Sequence, residues 1–273
     1  MRPLASAIER TYETVRTTAT FIEPTRWQSV DVSKKPEAAT WEVLNHTLKA
    51  PITSERLMDL KEACKPSLPW ADEQFLERVG GVPVNPGPTW HRWPWANSAD
   101  KFRVEEIRGP GAGGGQGFSH TYAERLWPKH AMKVDDEGVN VGIRYNYGDL
   151  EDVVDHLAKH PDSRQAYVPL WFPEDTGKVD VRVPCTLGWH FIHRKGYLHC
   201  TYYIRSVDLY RHFRDDVYMA VRLQLWMLDR LRGKQGNDSP WLKVKPGIFT
   251  MHVVSLHCFV NDARELWGNN GPR

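Results

Sequence analysis

Two spacings of apolar residues divide the chain into elements. In Asp149–His160, Leu150, Val153, Val154 and Leu157 recur at the three- and four-residue spacing of one helix face. Asp149 suits the N-cap of that helix, and Pro161-Asp162-Ser163 breaks it. Trp70–Val79 reads as a shorter helix ended by Gly80-Gly81. Asp216–Leu231 is apolar nearly all round, which predicts a helix buried on most sides. Ala166–Phe172 reads as a buried strand and Ile248–Val254 as the last strand. Between them, a strand up to about His193, a turn at Arg194-Lys195-Gly196 and a strand from Tyr197 to about Arg205 predict a hairpin. Thr40–Leu48 can form a strand, and the rest of 1–70 is mixed. With no internal repeat and no domain-scale linker, the pattern predicts one α/β domain over 1–273 with a mostly central sheet. The N-terminal portion 1–69 is its least defined part.

Composition narrows the classes. A formal net charge of +2 over 273 residues implies no broad nucleic-acid-binding face, so no direct DNA binding is expected. Each of the 12 tryptophans is most simply a core aromatic, with ring stacking as the sharper alternative. The stretch VPVNPGPTWHRWPW is a Pro- and Trp-rich loop. GPGAGGGQG at 109–117 lacks the Gly-Lys-Ser/Thr ending of a phosphate-binding loop and reads as a mobile surface loop. Cysteines at 64, 185, 200 and 258 show no CxxC spacing, so reduced thiols are expected. The N-terminus lacks the apolar segment of a signal peptide, and no apolar run approaches the roughly 20 residues of a membrane span. These features predict a soluble, cytoplasmic protein with no membrane partner.

The densest chemistry lies in Pro184-Cys185-Thr186 and the hairpin that follows. A lone cysteine is more often a small buried hydrophobe than a nucleophile. Here Arg205-Ser206 lies twenty residues downstream across the hairpin. A nearby cation lowers a thiol pKa, and Arg with Ser also makes a phosphate clamp. His190, His193, His199 and Cys200 raise a metal reading. In strands, however, His190 and His193 point to opposite faces and no two-ligand pair repeats, so no metal is expected.

Pro-Cys followed after twenty residues by Arg-Ser-x-Asp resembles the thymidylate synthase superfamily. HPDSRQAYVPLWFPED (160–175), TYAERLW (121–127) and PGIFTMHVVSLHCFVND (246–262) resemble further segments of it in the same order. The similarity covers roughly 120–262 well and 70–95 loosely. Within the superfamily the chain resembles one branch more closely, the phage-type deoxycytidylate (dCMP) hydroxymethylases. Cys185 is followed by Thr186, HFRDD (212–216) resembles that branch's Phe-Arg-Asn-Asp, and Ser255-Leu256-His257 resembles its Ser-Leu-His.

The resemblance implies a thymidylate synthase-like α/β (α+β) fold, with a central mixed sheet and a buried helix, assembled as a homodimer. It implies 5,10-methylenetetrahydrofolate as co-substrate and a pyrimidine nucleoside monophosphate as substrate. Cys185 would be the nucleophile and Glu73 the general acid/base, with Glu77 as the runner-up. Either glutamate could equally be a solvated helix charge. Arg164, Arg205 and Ser206 would bind the phosphate, Arg164 reaching the partner subunit's site. Gln165 stands where the family has a second arginine. His257 would meet the sugar, with Phe259 in place of a tyrosine. Thr186 and His190 would line the substrate site, and Asp208, Trp93 and Tyr122 the folate. Asp216 replaces an asparagine of thymidylate synthases. A carboxylate accepts from cytosine N4–H and pairs with N3 when that nitrogen is protonated. The competing explanation of Asp216 is a helix N-cap. The chain ends soon after the His257 segment, which is compatible with water entering the site.

The implied reaction is hydroxymethylation of C5 through a covalent Cys185 adduct, dCMP to 5-hydroxymethyl-dCMP. Alternatives are a dUMP or CMP hydroxymethylase and a dCMP methylase or thymidylate synthase. A catalytically silent nucleotide- or RNA-binding protein is the alternative of another class. Retention of Cys185, Arg205, Ser206 and Asp208 together argues against it.

Overall fold

The computed structural model describes residues 1–27, 30–85, 87–89, 92–95, 120–129, 132–134, 140–142, 148–177, 183–234, 236 and 239–272. The Gly-rich stretch at 109–117 lies outside the described residues. In chain order the elements are α1 (Arg2–Thr18), β1 (Thr20–Ile22), β2 (Arg26–Trp27), β3 (Val30–Asp31), β4 (Thr40–Pro51), α2 (Leu57–Cys64) and α3 (Trp70–Val79). Then come α4 (Tyr122–Leu126), β5 (Met132–Val134), β6 (Asn140–Gly142), α5 (Leu150–Lys159) and β7 (Tyr167–Pro169). The last are β8 (Thr186–Arg194), β9 (Tyr197–Asp208), α6 (Phe213–Lys234), β10 (Lys245–Phe259) and α7 (Val260–Trp267).

A six-stranded mixed sheet in the order β1-β4-β10-β9-β8-β7 forms the centre. Its pairs are antiparallel except β9 with β10, which run parallel. The parallel pair is bridged by α6, a connection of the crossover type that parallel strands need. The apolar girth of α6 is buried by α2, α3, α5 and the sheet. Val217, Tyr218, Val221, Met227 and Leu231 have no exposed surface. Gln224, also fully buried, donates from Nε2 to the Leu198 carbonyl at 2.7 Å, so the helix carries a polar group into the core that is bonded through its amide nitrogen.

Several expectations are corrected. The undefined N-terminus holds α1, whose Leu4, Ala7, Ile8, Thr11 and Val15 form a buried stripe, and β1 and β4 extend the same central sheet. Ala166–Phe172 is not a buried strand. It contains the three-residue edge strand β7, in which Tyr167 and Pro169 are exposed and Val168 is buried. An edge strand has only one paired neighbour, and this one packs a single face. The last strand runs from Lys245 to Phe259, so His257 belongs to it.

The ladder registers skip Asn45 opposite Val254, then Val254 opposite Arg205. β8 carries an extra residue, Leu187, between Thr186 and Gly188. These irregularities line up across four strands. Burial alternation in β9 slips there: Tyr202 and Ile204 are buried, Arg205 and Ser206 are half-buried, and Val207 and Asp208 are buried. The bulge in β8 keeps Thr186 and Trp189 on the core face. Gly188 is needed at this point by close approach, since a Cβ would lie 2.4 Å from the Tyr167 hydroxyl and the Val168 carbonyl oxygen.

Polar locks hold the helices around the sheet. Asp149 accepts from the Glu151 and Asp152 amides, and Asp152 accepts back from the Asp149 amide, so α5 starts in a full capping box. Asp72 of α3 takes hydrogen bonds from Lys61, Tyr218 and Arg222, tying α3 to α2 and α6. Arg125 of α4 makes a bidentate pair with Asp175, at 2.7 and 3.0 Å, and lies 4.4 Å over the Phe172 ring. Their side chains are 9% and 1% exposed. Removing one partner strands the other charge. Asp175→Ala is therefore expected to cost about 3–5 kcal/mol in urea denaturation. A loss under about 1 kcal/mol would show that Arg125 escapes to solvent.

Candidate active site

Cys185 sits at the mouth of β8, half-buried, directly before the first paired residue Thr186. The hairpin brings Arg205 back to it. The Arg205 amide donates to the Cys185 carbonyl at 2.9 Å, and the guanidinium donates to the carbonyls of Pro184 and Val183 at 2.9 and 3.1 Å. Its Nη2 points at the Cys185 sulfur from 3.8 Å. The expected cation beside the thiol is thus present, and the same guanidinium shapes the loop that carries the thiol. The other cysteines lie in a different environment. Burial pushes the Cys64 thiol up to about 12 and raises those of Cys200 and Cys258 further.

Thr186 is fully buried and links three elements. Its hydroxyl lies 3.0 Å from the Tyr122 hydroxyl and 2.8 Å from that of Tyr202. Its amide donates to the Tyr122 oxygen at 3.3 Å. Tyr122 opens α4, where Thr121 and Glu124 form a capping box. Burial first, then the nearby Cys185, pushes the Tyr122 phenol up to about 12. Tyr202 is raised still higher by burial, so both are neutral donors at ordinary pH.

Asp216 faces this cluster from α6. It is not the N-cap, because the helix starts at Phe213 and the Asp216 amide donates to the His212 carbonyl at 2.8 Å. Asp216 is half-buried, yet deep enough that desolvation raises its carboxyl to about 7. Arg78 opposes that rise, and Asp215 and Asp208 add to it. The neighbouring Asp215 is spent on structure, accepting from the Ser67 amide at 2.6 Å.

The turn between β9 and α6 makes a flat-ringed ledge. Asp208 Oδ1 accepts from the amides of Tyr210 and Arg211, both at 3.0 Å. Trp93 stacks on His212 with ring centroids 4.9 Å apart, and Trp95 leans on Tyr210 at 5.3 Å. His257 is the register partner of Asp208, and its ring meets Phe259 edge-on at 5.7 Å. Ser206 is half-buried, opposite Ser255.

The two candidate glutamates of α3 have different surroundings. Glu77 is engaged: its carboxylate accepts from the Thr89 amide at 3.0 Å, and a Cβ on Gly87 would overlap it. Glu73 accepts from Arg92 at 2.9 Å through one oxygen, while Oε2 is buried with no partner among the described residues. Two expected substrate residues lie apart from the cluster. His190 is on the other sheet face, paired with Thr201 and Tyr167, and its Nε2 lies 2.8 Å from the Arg164 carbonyl. The strand period forces this, because the bulge has already turned Thr186 and Trp189 inward. The Arg164 side chain is exposed on the loop before β7.

Arg78 and Tyr202 were not anticipated. Nothing local marks Arg78. The Tyr202 alternation was visible, but not its meeting with Thr186.

Residues 87–233 match the thymidylate synthase family. Two Methanosarcina proteins, each named "Putative thymidylate synthase", are similar to the chain. The Methanosarcina acetivorans protein is 28% identical over 196 residues, covering 69% of this chain and 76% of its own length. The Methanosarcina barkeri protein is 28% identical over 147 residues, 54% of this chain. The match spans only 56% of that relative's length.

Proposed function

The chain belongs to the thymidylate synthase family, and on that footing we propose that it transfers a one-carbon unit from methylenetetrahydrofolate to C5 of a pyrimidine nucleoside monophosphate, with dCMP as substrate and 5-hydroxymethyl-dCMP as product. The observation that carries this reading is the meeting of Cys185, Arg205, Thr186 and Tyr122 in front of Asp216. In it a sulfur nucleophile before β8, a cation from β9, a phenol from α4 and a base-reading carboxyl from α6 come together.

The Cys185 thiolate attacks pyrimidine C6, with Arg205 supplying positive charge at the sulfur. Electron density gathers at C5, which takes up the one-carbon unit. The C5 proton and tetrahydrofolate then leave, giving an exocyclic methylene on the base, and water adds to that carbon as sulfur departs from C6. Glu73, with one oxygen uncommitted, is the acid/base group of choice over the engaged Glu77. Methylenetetrahydrofolate supplies the carbon when bound. The residues fit a flat pterin, since Trp93, Trp95 and Tyr210 present rings beside the Asp208 turn. Asp216 meets the N3–N4 edge of the base. Ser206, Arg164 and Arg205 serve the phosphate, Arg205 while also holding the Cys185 loop, and His257 serves the sugar.

Protein incubated with methylenetetrahydrofolate and a panel of mononucleotides tests the reading. Tritium release from C5 identifies the accepted nucleotide, and product mass separates hydroxymethyl from methyl. Release from dUMP but not dCMP would overturn the base assignment, and no release from any nucleotide would favour a silent binding protein.

We also propose a homodimer formed on the outer sheet face. Leu44, Val254 and Tyr167 expose apolar surface on β4, β10 and β7, at 64%, 49% and 39%. His190 and the loop bearing Arg164 adjoin it. Sedimentation at micromolar concentration is expected to give a dimer, and a monomer would remove this proposal.

A further inference from the structure

Three hydroxyl groups next to Cys185 form a directed chain, with Thr186 in the middle. The Thr186 amide donates to the Tyr122 oxygen at 3.3 Å, and the Thr186 hydroxyl donates to the same oxygen at 3.0 Å. A threonine hydroxyl has one hydrogen. That hydrogen is spent on Tyr122, so across the 2.8 Å contact with Tyr202 the Thr186 oxygen can only accept. Tyr202 therefore donates to Thr186, and Thr186 to Tyr122. The hydrogen left over is that of Tyr122, which has no acceptor among the described residues. Both phenols keep their hydrogens at ordinary pH, because burial raises each.

Burial opposes the reverse order. Reversal would leave the Tyr202 hydrogen pointing into the core, where Tyr202 is 1% exposed. A buried donor without an acceptor is costly, whereas Tyr122 is only partly buried. Local structure fixes both phenols. The extra residue Leu187 puts Thr186 and Trp189 on the core face together. Tyr202 is the register partner of Trp189, and the two rings stack with centroids 5.2 Å apart and planes at 9°. The Tyr122 ring is covered by the Arg78 guanidinium, 4.3 Å from its centroid.

We infer that Tyr202 is a positioning residue of this site: through Thr186 it turns the Tyr122 hydrogen away from β8, toward an acceptor on the nucleotide bound at Cys185. The direction of the hydrogen rests on the contacts alone, and its use by the nucleotide rests on the proposed function. Tyr122 is the donor that meets the substrate. Tyr202 stays in the core and acts only through the other two hydroxyls.

Tyr202→Phe tests this, because it removes one hydroxyl and keeps the stacked ring. Thr186 then has no donor to accept from, and Tyr122 can turn its hydrogen inward to Thr186. Donating stiffens a phenol C–O bond and accepting loosens it. The infrared C–O stretch of Tyr122, identified with ring-labelled tyrosine by its loss in Tyr122→Phe, is therefore expected to rise in Tyr202→Phe. Thr186→Ser, which keeps the middle hydroxyl, should leave it in place. Tyr202→Met, which fills the same slot with an apolar chain, replaces the Phe variant if that one does not fold. In tritium release, kcat/KM is expected to fall about tenfold in Tyr202→Phe, the size of one misdirected hydrogen bond. The same change made in Tyr122→Phe should cost nothing further. An unmoved band overturns the inference, as does an equal rise in Thr186→Ser. An unchanged kcat/KM in an active protein overturns it too, and so does an equal loss in the Tyr122→Phe background, because Tyr202 would then act by packing. A moved band in a protein that turns over no nucleotide upholds the direction of the hydrogen and defeats the proposed function instead.

Discussion

Cys185→Ser is expected to lower turnover by more than about a hundredfold, roughly 3 kcal/mol of barrier, while nucleotide affinity stays close to wild type. A serine hydroxyl offers no anion at neutral pH to attack C6. The loop should survive the change, because Arg205 bonds the carbonyls of Val183 and Pro184 as well as facing the sulfur. Cys64, Cys200 and Cys258 cannot substitute, since each is buried and its thiol raised. Tritium release and equilibrium nucleotide binding, measured on both proteins, give the two numbers. A serine variant retaining more than about a hundredth of the rate would remove Cys185 from the role of nucleophile.

Asp216→Asn is expected to turn base preference from cytosine toward uracil. The new amide sets a donor against the cytosine N4 amino group, and a buried unpaired donor costs about 1–3 kcal/mol. The loss of kcat/KM on dCMP should be about tenfold to a hundredfold, with activity on dUMP appearing or rising. Helix capping cannot account for such a change, because Asp216 lies inside α6. Folding stability gives an independent reading of the same carboxyl. Its folded value of about 7 exceeds the ordinary carboxylate range, so the folded state holds its proton longer than the unfolded chain. The stability it contributes is complete below about pH 4 and is lost as pH rises through about 7. Asn carries no such dependence. Relative to wild type, the variant should gain on the order of a few kcal/mol between acid and about pH 8. An unchanged ratio of the two specificities would leave no ground for choosing cytosine.

What the sequence made legible was local. α3 and α5 are marked by their own caps and stops, Gly80 and Asp149. The Cys185–Arg205 meeting follows from a hairpin whose arms are of nearly equal length. The start of α6 differs from the one the sequence suggests because Asp is a favoured cap, while the helix begins three residues earlier at the buried Phe213. α1 interrupts its stripe of Leu4, Ile8 and Val15 with Ala7 and Thr11, which barely stand out from its polar residues. Arg78 was illegible for a different reason. Its guanidinium lies over the ring of Tyr122, which belongs to a distant helix, and no spacing within α3 announces that. The placement of His190 was hidden by the single extra residue at Leu187, which shifts every side chain of β8 beyond it.

A lineage descending from this chain has little freedom to change its length near Cys185. One residue gained or lost in β8 or β9 between the kink and the hairpin tip would turn the remaining side chains to the wrong face. Because the irregularities at Asn45, Val254, Arg205 and Leu187 lie in one line, repair would need matching changes in the neighbouring strands at once. The hairpin can grow or shrink only at Lys195-Gly196, and only in pairs, one residue in each arm. The interval between Cys185 and Arg205 therefore changes only by two residues at a time, at the tip, and divergence elsewhere in the hairpin must proceed by exchanging residues rather than inserting them.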